Sequence, residues 1–429
     1  HIQSVHDSCM FICKCSLLLA AAVLTLATIP RAPCFLGVKP LVAARLRPLQ
    51  KSSIDCRFKM TTPLPHIVIV GAGGVGSWLY ASIADACRQN PALARVTLVA
   101  RGAALARVRE HGLEYFVRAP PMPASEAAFA NDGTATLTIG PQDVCADVNC
   151  AALKEKGDLA DFVILCVKTW QVADAAKDAA CILRAGSGCI VTTQNGIDAP
   201  TEAAAASDGE SSVLAGIVQV IAFREDPAEG PLRCVRLGAP SPKSITLGEC
   251  VWGGAGFESQ RVLLLRDILK SSGVEVPVPE EGNVKRELWR KAAMMCCMGP
   301  MSAVTRADIH TMLRTPSTRA MLMAAMEEVC ALSACFPGCY VGDGRAQQTM
   351  DYLERIKPGS TPSTVRDVVC GRPSEMRQMS GAMHRLGIEQ KIATPVHSFI
   401  AAALEPQEAL ARGEHEYSLQ GVPGGKPSV

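Results

Sequence analysis

The sequence predicts an α/β fold: a Rossmann-like, doubly wound sheet followed by an all-helical C-terminal domain. Three observations carry this. A short apolar strand, His66–Val70, runs straight into Gly71-Ala72-Gly73-Gly74-Val75-Gly76 and then into a helix-forming stretch, residues 77–84. Near-continuous apolar runs at 161–167 and 189–193 have the texture of strands buried on both faces of a parallel sheet, with helix-forming segments alternating between them. From Asn283 onward the pattern turns helical and no convincing strand follows.

The elements follow in order. In the first turn Gly71 permits the tight bend, Gly73 lets backbone approach a phosphate, and Gly76 lets the next helix pack on the strand. With Gly74 and Val75 they form a candidate pyrophosphate cradle, because the helix start offers free N–H groups and the positive end of its dipole. The second strand, 96–100, ends at Arg101. A carboxylate there would hold a ribose 2′-hydroxyl, whereas an arginine suits a 2′-phosphate, so NADP(H) is expected over NAD(H); the bland alternative is a solvated arginine. Residues 103–160, with Pro120, Pro121 and Pro123 and one strand at 135–139, are expected to wrap the sheet edge. The strand at 161–167 ends at Lys168-Thr169-Trp170-Gln171, a helix is expected over 172–183, and the strand at 189–193 ends at Gln194-Asn195-Gly196. Lys168 and Asn195 therefore stand beyond strand carboxyl ends, where ligands of such sheets bind. Further strands, antiparallel in character, are expected at 213–223, 233–237 and 244–248, then an amphipathic helix at 261–272 and an extended piece at 274–278. Helices are expected over 285–298, 319–335, 346–356, 374–386 and 395–404. The expected organisation is a presequence or untranslated extension over 1–60, a dinucleotide-binding domain over 61–282, a helical domain over 283–412 and a loose tail over 413–429.

Composition narrows the class. The chain has 429 residues, 48% hydrophobic and 20% charged, enough for two domains with sizeable cores. A net charge of +2 and only 4% aromatic residues argue against a nucleic-acid partner. The 19 cysteines are scattered, without Cys-x-x-Cys pairs or zinc spacing, so free thiols and no metal are expected. An apolar run at 16–29 is short for a membrane span and fits a signal core; Arg31, Lys39, Arg45, Arg47 and Lys51 follow without acids. That two-part pattern resembles presequences that reach complex plastids; translation from Met60 would instead leave a cytoplasmic protein. Neither reading leaves a membrane span in the mature form.

Two candidates for chemistry lie in the helical part. Leu288, Trp289, Ala292, Ala293 and Cys296 form one apolar helical stripe, and Lys291 falls off it, toward water or an interdomain cleft. Glu375 is expected in the first turn of a helix, where the dipole favours a carboxylate. Read alone, these are a solvated lysine and a cap-region acid.

Taken together with Gly71–Gly76, Arg101, Val167-Lys168-Thr169-x-Gln171, Gln194-Asn195-Gly196-Ile197, Leu288-Trp289-Arg290-Lys291, Ser363-x-x-x-Asp367 and Glu375 with Gly381, the chain resembles the ketopantoate reductase family from about residue 65 to 405. The resemblance implies NADPH-dependent reduction of 2-dehydropantoate, a small 2-oxo acid, to pantoate, on the route to pantothenate and coenzyme A. It implies Lys291 as proton donor to the ketone oxygen and Glu375 as a hydrogen-bonding partner of the substrate. It places Asn195 at the nicotinamide ribose and substrate, Lys168 and Gln171 at the cofactor, and Ser363 at the substrate carboxylate. A homodimer is in keeping with the family. Two positions depart from its pattern Lys-x-x-x-Asn-x-x-x-Asn-Pro: Met295 and Gly299 stand where asparagines are usual. A pocket that loses hydrogen-bonding partners should prefer a less polar molecule. Two alternatives therefore stay open: the same chemistry on a less polar 2-oxo acid or ketone, and a catalytically silent NADP(H)-binding sensor.

Overall fold

The strands of the first half sort into two sheets. The computed structural model describes residues 63–118, 135–207, 212–225, 227, 229–238, 243–250, 259–356 and 362–415. The expectations for residues 1–60, for Pro120–Pro123 and for most of the tail lie outside them.

Strand β1 (His66–Val70) leads through the glycine loop into helix α1 (Gly74–Gln89), then β2 (Arg95–Val99), α2 (Gly102–His111), β3 (Leu113–Arg118), β4 (Leu137–Ile139), β5 (Ala146–Asp147) and α3 (Cys150–Glu155). Next come β6 (Phe162–Leu165), α4 (Val172–Ala180), β7 (Cys189–Thr192), α5 (Ala199–Ala206), β8 (Ser212–Val220), β9 (Ala222–Glu225), β10 (Leu232–Leu237), β11 (Lys243–Glu249) and α6 (Gln260–Ser271). Seven strands form the main sheet in the order β11-β8-β7-β6-β1-β2-β5, parallel except for β11 against β8. From β1 the chain winds one way through β2 and β5, then returns to β6 on the other side, so the order reverses between β1 and β6. Alternation along β1 explains why both faces are covered. Ile67 and Ile69 pack with Trp78 and Leu79 of α1 and Leu265 and Ile268 of α6, whereas Val68 and Val70 pack with Val172 and Ala176 of α4 and Ala203 of α5.

The segment 103–160 departs from expectation. Only β5 extends the sheet edge; β3 and β4 join β10 and β9 in a second, four-stranded sheet, ordered β4-β3-β10-β9. The expected strand at 213–223 is two strands, broken at the exposed Ile221, where the chain leaves one sheet for the other. Residues 274–278 form no strand, only one bridge from Glu275 to Ser244.

The helical part comprises α7 (Val284–Thr305), α8 (Ile309–Arg314), α9 (Pro316–Ser333), α10 (Arg345–Glu354), α11 (Ser363–Val369), α12 (Ser380–Gln390) and α13 (Pro395–Ala411). Helices α7 and α13 run past the expected ends, through Pro300 and Pro406 respectively. Short α8 and α11 were not anticipated. The expected helix at 374–386 is corrected: Ser374 and Glu375 lie in a loop, one 3₁₀ turn covers Met376–Gln378, and α12 starts only at Ser380. The cause is side-chain competition for backbone groups. The buried Glu408 carboxylate accepts the Ser374 N–H at 3.0 and 3.1 Å and its hydroxyl at 2.6 Å, and Ser374 Oγ accepts the Met376 N–H at 3.3 Å. Near the tail, Arg377 holds Glu414 at 2.6 Å. All fourteen cysteines among the described residues are free thiols, and no described helix is long and apolar enough to cross a membrane.

Candidate active site

The strand-order reversal places three loops side by side, those after β1, β6 and β7. In the loop after β1, Gly71 has φ +111°, and a Cβ there would meet the Cys166 carbonyl oxygen at 2.7 Å. A Cβ at Gly76 would strike the Gly71 carbonyl at 1.9 Å, and one at Gly74 the Ala222 carbonyl at 2.4 Å. These three glycines are demanded by packing. Gly73 differs: it is exposed, its φ of −78° suits any residue, and nothing lies within 4 Å of a Cβ built on it. That open space is where a pyrophosphate fits. Gly73 caps α1 without a side-chain bond, and the first turn of α1 carries no acid, so its N–H groups and dipole suit an anion. Val75 is partly buried against the core of the main sheet. Arg101 follows β2 with its side chain 70% exposed, Nη2 lying 3.8 Å from Asp178 Oδ2 of α4. These features fit a dinucleotide.

After β6, the Lys168 N–H donates to Gln171 Oε1 at 3.2 Å, so Gln171 braces the turn. Lys168 Nζ donates to Asp367 Oδ2 of α11 at 2.7 Å, and Arg372 Nε reaches Asp367 Oδ1 at 3.2 Å. After β7, Gln194 Nε2 donates to the Leu165 and Val167 carbonyls at 2.8 and 3.0 Å, tying the ends of β6 and β7 together. Gly196, with φ +90°, leaves room for the Gln378 carbonyl, which a Cβ would meet at 2.7 Å.

The helical part closes over these loops. Glu375 is 7% exposed, and its two oxygens accept the Thr169 N–H at 3.3 Å and Asn195 Nδ2 at 3.4 Å. Lys291 projects from α7 toward the sheet, where Nζ donates to the Val218 carbonyl of β8 at 2.8 Å. Burial lowers its pKa to about 8, and the Glu375 carboxylate pulls in the opposite direction. Glu375 thus touches the loops after β6 and β7, next to Lys168 and at Asn195, and lies within electrostatic reach of Lys291. Ser363 is half-buried at the first position of α11, four residues before Asp367. Gly299 meets the same helix, since a Cβ there would lie 3.4 Å from Thr364 Oγ1 and 3.6 Å from Pro362 Cβ. Met295 is partly buried against the helical core.

Sequence reasoning missed Thr169 and the Val218 carbonyl. Thr169 belongs to the stretch Val167–Gln171, but it acts through its backbone N–H, as Val218 does through its carbonyl, and backbone groups leave no side-chain signal.

Comparison with known proteins identifies the family. Residues 67–238 match the family model described as Ketopantoate reductase PanE/ApbA, and residues 283–408 the one described as Ketopantoate reductase PanE/ApbA C terminal. A 2-dehydropantoate 2-reductase of Mesorhizobium japonicum is 26% identical over 371 residues, 81% of this chain and 98% of that protein. A PanE/ApbA family ketopantoate reductase from Ralstonia eutropha shares the fold with a TM-score of 0.63 at 22% identity, covering 82% of this chain and 100% of that one. D-mandelate dehydrogenase, in a ternary structure with NADH and anilino(oxo)acetate, shares it with a TM-score of 0.64 at 19% identity, over 81% of this chain and 99% of that one. The first match contains the glycine loop, Lys168 and Asn195; the second contains Lys291, Ser363 and Glu375. The chain belongs to the ketopantoate reductase family, nicotinamide-dependent oxidoreductases that act on a CH–OH group.

Proposed function

We propose that the protein reduces 2-dehydropantoate to pantoate with NADPH, a step toward pantothenate and coenzyme A, with Lys291 as general acid. The observation that carries the reading is the buried Lys291 ammonium, aimed at the main sheet through the Val218 carbonyl and within electrostatic reach of Glu375, which itself accepts from Asn195. The bound nicotinamide supplies the hydride. Reduction of a ketone builds negative charge on its oxygen, and Lys291 Nζ holds the proton that quenches it. The Val218 carbonyl fixes the direction of Nζ, and Glu375 keeps it charged against the cost of burial. Asn195, bonded to Glu375, shares the cleft with substrate and ribose, and Ser363 offers a hydroxyl to the 2-oxo acid's carboxylate. Arg101, exposed after β2, favours NADPH over NADH.

A second reading has its own observation. Gly299 packs toward Thr364 and Pro362, and Met295 lies one helical turn earlier, so this stretch of α7 carries no amide. That favours a less polar 2-oxo acid. A silent sensor is disfavoured by the presence of both Lys291 and Glu375. The test is NADPH oxidation by a protein starting at Met60, offered 2-dehydropantoate and a panel of plainer 2-oxo acids. Turnover of 2-dehydropantoate supports the first reading and turnover of the plainer acids alone the second. NADPH binding without turnover of any acid supports the sensor.

A further inference from the structure

The second sheet brings a cation to the glycine loop that neither the motif nor the resemblance marks. Strand β9 lies directly on that loop: besides the Ala222 carbonyl, a Cβ at Gly74 would meet Phe223 Cα at 2.7 Å. Register sorts the side chains of this sheet. Arg224 stands opposite Cys234, and Cys234 opposite Tyr115, so the three share one face. That face packs on α1: Cys234 Sγ reaches the Gly74 carbonyl at 3.5 Å, and Cys234 and Tyr115 lie in one core with Trp78 and Leu79. Glu225, one residue on, turns to the opposite face, where Arg118 grips both its oxygens at 2.5 and 3.0 Å. Arg224 is thus aimed at the loop. Its Nη1 lies 3.5 Å from the carbonyl of Ala72, the residue between Gly71 and Gly73, while the side chain remains exposed.

We propose that Arg224 is a further dinucleotide-binding residue that pairs with the pyrophosphate across the glycine loop. The proposal rests on the dinucleotide part of the reading above and not on the identity of the keto acid. A guanidinium is permanently charged and presents a planar fork of donors that matches phosphate oxygens. The placement divides the work between two arginines. Arg101, after β2, stands at the ribose end, where NADPH and NADH differ. Arg224 stands at the diester, where they are the same.

The experiment is equilibrium titration of NADPH and of NADH, followed by cofactor fluorescence without substrate, on the full chain. The variants are Arg224→Ala, Arg224→Gln, Arg224→Lys and Arg101→Ala. Loss of a charge-assisted pair should raise Kd for both cofactors by the same factor, roughly tenfold to a hundredfold, in Arg224→Ala and Arg224→Gln. Arg224→Lys should fall between these and wild type, and Arg101→Ala should weaken NADPH alone. Should Arg224→Ala fold poorly, the Gln and Lys variants, alike in bulk and different in charge, carry the comparison. Wild-type affinity in Arg224→Gln overturns the proposal, and so does a loss confined to NADPH. A wild-type protein that binds neither cofactor removes the cofactor reading as well. Failure to turn over 2-dehydropantoate removes only the substrate reading.

Discussion

Lys291 answers two opposing demands. Removal from water disfavours its ammonium and brings the pKa from 10.5 to about 8, while the Glu375 carboxylate works to keep the charge. A general acid must hold its proton. Reductive turnover should therefore be level below pH 8 and fall about tenfold per unit above it, as Lys291 deprotonates. Lys291→Ala should lower kcat by about 10²–10⁴-fold and leave the Kd for NADPH nearly unchanged, because Nζ contacts the Val218 carbonyl and not the glycine loop. Unchanged turnover would remove Lys291 from the chemistry. Glu375→Gln is the partner experiment. It keeps an oxygen for the Thr169 N–H but deletes the charge that raises the Lys291 pKa. The alkaline limb of the kcat profile should move to lower pH. A limb that stays in place would show that the two groups do not communicate.

At the scale of elements, the glycine loop separates packing from binding. Gly74→Ala drives a Cβ to 2.4 Å from a backbone carbonyl of β9 that cannot swing aside. It should cost about 1–3 kcal/mol of stability, read as a lower midpoint in thermal or urea unfolding. Gly73→Ala meets nothing within 4 Å in a backbone region open to alanine, so its midpoint should match wild type. The added methyl instead fills the space left for the pyrophosphate, and NADPH affinity should fall. Equal unfolding midpoints in the two variants would mean that β9 can yield. The same contrast shows why the site was only partly legible in the sequence. The strand, the glycines, Lys168 and Asn195 are local signals, and near-continuous apolar runs alternating with helices locate the strand ends that they follow. The second sheet is not local, because β3 pairs with β10, with Leu113 beside Leu232, and no short window contains both. Glu375 stands in a loop and not on the expected helix because its neighbour Ser374 is held by Glu408, 34 positions from Ser374. Lys291 was seen to leave its apolar stripe, but its acceptor is a backbone carbonyl of the main sheet.

Across the whole molecule, the sheet part and the helical part keep separate cores. One set of buried residues surrounds the main sheet, and another runs from Trp289 to Leu404. The apolar link between them is small: Ala215 and Ile217 of β8 against Val284 and Leu288 of α7, with Ile197 touching both that seam and the helical core. Among the described residues, further bridges are Lys168 to Asp367, Thr169 to Glu375 and to Gln378, Asn195 to Glu375, Lys291 to the Val218 carbonyl, Arg385 to Asp198 at 2.9 Å, and Arg412 over the Trp170 ring at 4.4 Å. The ion pairs Lys168–Asp367 and Arg385–Asp198 are partly exposed and contribute little to stability, since solvent competes for each partner, whereas the Thr169–Glu375 bond is buried. The seam should therefore be what makes the cores unfold together. In calorimetry, a protein starting at Met60 should melt in one transition. Ile217→Ala combined with Leu288→Ala removes the larger side chains of the seam, each at a cost of about 2–5 kcal/mol where burial is complete. The double variant should melt in two steps, with much of the helical signal surviving the first. Saturating NADPH, whose proposed site lies chiefly on the sheet part, should raise the step belonging to that core more than the other. A single sharp transition at lower temperature would place the coupling in the polar cleft instead, and would make the cleft residues structural as well as chemical.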